Sequence, residues 1–576
     1  MKVLIFSLFI AICFKFSYSQ VLPNYLTEEE KLKLPLKFTN VNKSFTTPPS
    51  GSVRNPAEWE EMQAILIAWE GYSDFLTEIV RYAVDECQVY IYCTNQTTVS
   101  NYLTSSGVDV TNVHYIIQNL NSVWIRDYGP NNIYSNDVGD LSFVDWIYNR
   151  PRPQDDASPA AIASLLSIPL YETTQAPTDL VNTGGNFMSD GFGTAFAEKL
   201  ILTENDASNP YGVTTKSEAE IDDIFNQWMG INRYIKIDEL PYDGIHHIDM
   251  HMKLLDEETL LIGEFPQGIS DGPQIEANIN YIQSNFLSVF GTPYKIVRIP
   301  MPPSSSGAYP DESYYRTYTN SLIINKTVLV PTYYEEYDTT ALRIYREAMS
   351  GYRVIGIDAN AIIPASGTIH CTTHEIGVIN PLLISHQNLP DTYETVNPYY
   401  AEAKIMHSSG INTAKLYYRT DTTQAYQTVD MTEVNALENL WGGFIPAKPA
   451  NTTIYYYIEA NANSGKSQIR PMTAPTGYFK FHILNSTNSN LLTRNEFNFN
   501  VNSSNENIEI NIISETQQTF EIQIIDILGN TIYKKNYQVN AGRNTFISNA
   551  NNISYGIYIV TAKNEKSSSS KKIVIN

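Results

Sequence analysis

Hydrophobic residues fall into two kinds of pattern along this chain, and the change between them divides it. From about residue 55 to about 385, short apolar runs alternate with amphipathic stretches. Ala64-Ile-Leu-Ile-Ala-Trp69 reads as a buried strand, Ser73 to Val84 as a helix, and Val89-Tyr-Ile-Tyr92 as another strand. Strands alternating with helices predict an α/β domain over 55–387. Beyond 388 the helical periodicity stops. Ala414-Lys-Leu-Tyr-Tyr418 and Thr453-Ile-Tyr-Tyr-Tyr-Ile458 alternate with period two, so 388–484 reads as a β-sandwich. The polar run 485–490 is a linker. The stretch 491–576 is again all strands, with Ile522-Gln-Ile-Ile-Asp-Ile-Leu-Gly-Asn530 and Tyr555-Gly-Ile-Tyr-Ile-Val560.

A repeat runs through the α/β region. A polar anchor begins a strand, and a second apolar strand returns. Trp124-Ile-Arg-Asp127 leads to Leu141-Ser-Phe-Val144, and Gly184-Gly-Asn186 to Lys199-Leu-Ile-Leu-Thr203. His247-Ile-Asp249 leads to Thr259-Leu-Leu-Ile262, and Tyr318-Thr-Asn320 to Thr327-Val-Leu-Val330. If the copies are related by rotation, their Asp and Asn side chains converge on one axis and build a polar pocket.

The ends differ from the middle. Lys2, the apolar run Val3 to Phe14 and the small residues before Gln20 predict a secretory signal peptide over 1–19. Residues 20–54 read as an irregular leader. Export and solubility are the expectation, because the apolar run is too short for a permanent span.

Charge narrows the function. The chain has 576 residues and a net charge of −23, which argues against a nucleic-acid partner. Three cysteines remain after the signal peptide, too few for a disulfide scaffold. Cys87 and Cys93 flank a strand and read as buried packing. Cys371 differs. It lies in Gly367-Thr-Ile-His-Cys-Thr-Thr-His374, where imidazoles and backbone N–H groups would favour a thiolate. His247, Asp249 and His251 stand at i, i+2 and i+4, so on a strand they face one way. That pattern fits a zinc site, or an acid–base histidine beside a cation-binding carboxylate.

Six motifs occur in order: Pro56-Ala-Glu-Trp-Glu-Glu61, Trp124-Ile-Arg-Asp-Tyr-Gly-Pro130, Gly184-Gly-Asn186, His247-Ile-Asp249, Tyr318-Thr-Asn-Ser321 and Ile369-His-Cys371. Together they resemble the guanidino-group-modifying superfamily, in the branch of agmatine deiminases and bacterial peptidylarginine deiminase. The resemblance implies a five-bladed α/β propeller (pentein) over 55–387, with no cofactor and no catalytic metal. It implies Cys371 as nucleophile, His247 as acid–base, Asp127 and Asp249 as guanidinium carboxylates, and Asn320 as a supporting hydrogen-bonder. Trp124, Gly185 and Ile245 would line the substrate pocket, while His370 and His374 would flank it.

Residues 388–484 resemble the immunoglobulin-like domain that follows such a catalytic domain. Residues 491–576 resemble a type IX secretion sorting domain, which implies the type IX machinery as a partner and release or surface attachment outside the outer membrane.

The run Asp145-Trp-Ile-Tyr-Asn-Arg-Pro-Arg-Pro153 holds Arg150 and Arg152 two apart. Pro151 and Pro153 keep both extended. By resemblance the pair binds the substrate's α-carboxylate, so peptides or proteins with C-terminal arginine are the expected substrates. Agmatine or free-arginine deimination is the alternative, and a non-catalytic arginine-binding adhesin is the alternative of another class.

Overall fold

A computed structural model of the protein describes residues 21–36, 45–304, 306–309, 315–485 and most of 497–575. The expected signal peptide and nearly all of the 485–490 linker lie outside the described residues.

Five small sheets occupy the region from Met62 to Gly377, and each is wired the same way. Two strands form an antiparallel pair, and the second continues through a helix to a third strand parallel to it. Asn131–Ser135 and Leu141–Tyr148 pair antiparallel, then helix Ser158–Leu166 leads to Leu170–Thr173. The pattern recurs through Thr194–Glu198 with helix Glu218–Met229, Thr259–Glu264 with Gly272–Asn285, and Thr327–Thr332 with Glu335–Ala348. The fifth sheet joins distant parts of the chain. Its antiparallel pair is Thr373–Gly377 with Met62–Ala68, followed by helix Ser73–Ala83 and parallel strand Gln88–Cys93. The last strand of the region thus completes the first sheet.

Local sequence explains the helices. Ser73–Ala83 buries Phe75, Leu76, Ile79, Val80 and Ala83, an i, i+3, i+4 stripe. Glu218–Met229 starts with a Ser217–Glu220 capping box and ends at Gly230, whose φ is 72°. A side chain at Gly230 would also meet the Val53 carbonyl.

Two expectations need correction. Lys199 to Thr203 is not the returning strand: Thr194–Glu198 is, and Leu200–Thr203 is a helical turn. Gly193, at φ +88°, closes the hairpin at once, so Ala195 already pairs with Ser189. The polar anchors do not begin strands either. Three sit on single helical turns, Ile125–Tyr128, Gly184–Asn186 and Ile248–Met250, and 318–320 is a bend, each just before its strand.

Beyond residue 382 the described chain is β-rich. Eight strands between Leu383 and Ile483 surround an apolar cluster that includes Leu416, Ile454 and Ile458. Tyr399–Met406 alternates buried and half-buried positions, as its period-two pattern requires. Arg470 ties this region to the α/β part through Glu257 at 2.6 Å. The C-terminal segment forms a three-stranded and a four-stranded sheet around Phe497, Ile510, Phe520 and Val560.

Candidate active site

The five helical turns or loops that precede the first strand of each sheet all reach one place. Four were legible as repeat copies. The fifth is His370-Cys371, just before Thr373–Gly377. Asp127, His247, Asp249, Asn320 and Cys371 are all completely buried there.

Asn320 holds the cysteine loop. Its Oδ1 accepts from Thr368 N at 3.1 Å and from Thr368 Oγ1 at 2.6 Å, which turns Nδ2 toward Cys371 Sγ at 3.2 Å. Asp249 Oδ2 lies 3.7 Å from the same sulfur. Across the site Asp127 Oδ1 accepts from Gly185 N at 3.1 Å, and His247 Nδ1 stands 3.6 Å from it. Gly185 has to be glycine, because a Cβ would collide with His247 and press on Asp127. Gly367 is similarly confined between Trp124 and Cys371. Ile245 is buried one residue before the left-handed His246.

Two carboxylate oxygens are left over. Asp127 Oδ2 and Asp249 Oδ1 have no hydrogen-bond partner, although both residues are buried. Stranded acceptors of this kind are costly unless something fills them.

Behind Asp249 the polar groups are matched. His370 Nδ1 meets Asp249 Oδ2 at 2.7 Å, and His370 Nε2 meets Glu58 Oε2 at 3.0 Å. Glu58 also accepts from Lys253 Nζ at 2.7 Å and from Ile323 N at 2.8 Å. Burial pushes the Glu58 carboxyl up, but Lys253, His370 and Arg126 outweigh it and hold it well below the usual carboxylate range. Sequence reasoning assigned no role to Glu58 or Lys253. Glu58 lies within the quoted Pro56–Glu61 motif, so its signal was present; Lys253 gave none.

Two site expectations change. His247, Asp249 and His251 do not share a face. A 3₁₀ turn advances about 120° per residue, so Asp249 points to Cys371 and His370, while His251 Nδ1 lies 3.4 Å from Glu198. Cys371 is not poised as a thiolate by neighbouring imidazoles. Burial, then Asp249 and Asp127, push its thiol well above the ordinary range, because two carboxylates oppose a third negative charge. His370 spends both ring nitrogens on carboxylates, and burial lowers His374 to about 4.

Arg150 and Arg152 are not open to solvent. Arg152 is ion-paired with Glu30 of the leader at 2.7 Å, and Arg150 Nε donates to the Asn24 carbonyl at 2.9 Å. Trp124 Nε1 donates to the Leu22 carbonyl at 2.9 Å. The leader is therefore packed against the site and is no free connector.

Comparisons with known proteins match two parts of the chain. Residues 498–576 match the secretion system C-terminal sorting domain, which marks a chain for secretion or attachment at the cell surface. A protein of Mycoplasma capricolum with the provisional name agmatine deiminase is 21% identical over 366 residues, covering 57% of this chain and 97% of that one. Another with that provisional name, from Vibrio parahaemolyticus, is 23% identical over 372 residues, covering 58% and 98%. A crystal structure from Porphyromonas gingivalis, named provisionally as an arginine deiminase, shares the fold with a TM-score of 0.50 at 20% identity, covering 56% of this chain and 98% of that one. Residues 54–376, more than half of the sequence, match the Porphyromonas-type peptidyl-arginine deiminase family, and the chain belongs to that family.

Proposed function

We propose that this protein is a secreted peptidylarginine deiminase that converts arginine, preferably at a peptide C-terminus, to citrulline and ammonia. The observation that carries it is the pair of unfilled acceptors, Asp127 Oδ2 and Asp249 Oδ1, buried beside a cysteine. A guanidinium is planar, cationic and rich in N–H donors, so it satisfies both acceptors and balances both charges. The five similarly wired sheets are read as blades of one propeller, the 388–484 region as an immunoglobulin-like module, and 1–19 as the export signal.

The chemistry follows from the charges. Without substrate, Asp127 and Asp249 disfavour a thiolate at Cys371. The arriving cation reverses that field, so substrate binding and nucleophile activation coincide. The thiol proton passes to His247, the sulfur attacks the guanidinium carbon, and His247 returns the proton to the departing nitrogen as ammonia leaves. His247 then takes a proton from water, which attacks the thiouronium carbon. The C–S bond breaks, the remaining proton of that water is released to solvent, and His247 returns its proton to the sulfur, leaving a ureido product and the resting thiol. Asn320 Nδ2 steadies the sulfur, and the His370–Glu58 pair orients Asp249. Trp124 and Ile245 flank the aliphatic stem, and Arg150 and Arg152 receive the α-carboxylate.

Agmatine deimination is the second reading, favoured by the names of the relatives above. Kinetics on agmatine and on matched peptides with arginine C-terminal, amidated at the C-terminus or internal separates the two. A preference for C-terminal arginine of about tenfold or more is expected from one charge-assisted contact. Equal rates on the three peptides, or a preference for agmatine, would refute the carboxylate reading.

A further inference from the structure

Residues 21–36 were expected to be an irregular lead-in, yet their polar contacts converge on the proposed substrate site. Arg152 Nε meets Glu30 Oε1 at 2.7 Å and its Nη2 meets Oε2 at 3.2 Å, a two-pronged grip on a carboxylate. The same Nη2 donates to the Pro23 carbonyl at 2.7 Å. Arg150 Nε donates to the Asn24 carbonyl, Trp124 Nε1 to the Leu22 carbonyl, and Asn24 N to the Ala365 carbonyl at 2.8 Å. Leu34 and Leu36 then pack against the small apolar cluster that contains Tyr211.

Glu30 is presented, not left to chance. It sits on the single turn Glu28–Lys31, where its Oε2 accepts from Thr27 N at 3.0 Å and Thr27 Oγ1 at 2.9 Å. Its neighbours Glu28, Glu29 and Lys31 are exposed, whereas Glu30 is 3% and Arg152 1% accessible. Asn24 is the other buried residue of the stretch, and both polar atoms of its side chain lack partners. A stranded buried amide works against the closed arrangement. The leader is thus held by a strong charged contact and weakened at a second point.

We propose that residues 21–36 form an intramolecular occupant of the substrate's carboxylate site. Glu30 stands where the α-carboxylate of a C-terminal arginine would bind, and the strap keeps Cys371 covered until it is displaced or cut away. This rests on the reading of Arg150 and Arg152 given above. Glu30 and the substrate carboxylate then compete for one guanidinium, and the leader acts as a tethered inhibitor at high effective concentration.

The test uses the full chain with a specific protease sequence inserted after Asn40, cut while folded and then freed of the released segment. The expected result is labelling of Cys371 by chloroacetamidine roughly tenfold faster or more, with a lower KM for a peptide ending in arginine. A synthetic peptide of residues 21–36 should restore inhibition, competitively with that substrate. Its Glu30→Gln form keeps the capping turn and should inhibit about tenfold more weakly. Labelling and KM unchanged by cutting in a chain of unaltered Tm, or equal inhibition by both peptides, would overturn the proposal. Faster labelling and competitive inhibition, together with equal use of terminal and amidated arginine, would uphold the strap as a cover over Cys371 but overturn both the carboxylate reading and the place given to Glu30 within it.

Discussion

Glu58, partly buried, and Asp127, fully buried, are carboxylates of one polar cluster, but they are treated in opposite ways. Glu58 has Lys253, His370 and a backbone N–H around it. Asp127 has a single backbone donor on one oxygen and nothing on the other. A matched buried ion pair holds parts of the chain together. On the proposed reading, an unmatched carboxylate holds affinity for the substrate's cation. The proposed function assigns the first kind to architecture and the second to chemistry.

The comparison breaks first at Cys371. Cys371→Ala should lower citrulline release by about 10⁴-fold or more, since it removes the sulfur that attacks the guanidinium carbon in the proposed mechanism. Circular dichroism should be unchanged. Residual activity near wild type would move the nucleophile elsewhere.

Asp127→Asn keeps the acceptor for Gly185 N but places an amide where an oxygen was unfilled. Turnover should fall about 10²–10³-fold while the urea midpoint stays put or rises. A large loss of stability would mean that Asp127 belongs with Glu58 as an architectural group.

Lys253→Met is the reverse experiment. It leaves the partly buried Glu58 with one cation fewer, at a cost of about 3 kcal/mol in unfolding free energy. Equilibrium denaturation checks it, and a change below about 1 kcal/mol would show that His370 and Arg126 suffice.

The smallest effect is a slope. Cys371 has its thiol raised by burial and by Asp249 and Asp127. A group raised in the folded state lends stability that is complete below its unfolded pKa, about 8.5. That stability is lost as pH climbs from there toward the folded value. Cys371→Ser should therefore flatten the fall of stability between about pH 8.5 and 10, by up to about 1.4 kcal/mol per pH unit. Cys87, pushed up by burial to about 12, remains in both proteins and cancels in the difference. Parallel stability curves for the two proteins would contradict the raised thiol.

Much of the site was legible in the chain. Asp127, Asp249 and Asn320 stand at the Asp or Asn position of their repeat copies, whereas Asn186, at that position in the remaining copy, pairs with the Glu198 backbone instead. The two β-rich C-terminal parts were legible because period-two alternation states which face is buried. The strand reading of His247 to His251 failed because a three-residue 3₁₀ turn is too short to impose a periodicity. Thr194–Glu198 was misplaced because glycine-driven hairpins shift register without altering composition.

What the sequence determined by itself was local: where strands and helices lie, which polar residues repeat, and that a lone cysteine joins them. Tertiary structure alone decided which of those charges are matched. Glu30 and Arg152 are 122 residues apart in the chain, and Glu58 and His370 are 312 apart. Pairing over such spans depends on how sheets close against one another, and burial then fixes its electrostatic cost. The same closure leaves Asp127 and Asp249 each with an empty acceptor and lays the leader across the arginine pair, because both features depend on distances that no local pattern encodes.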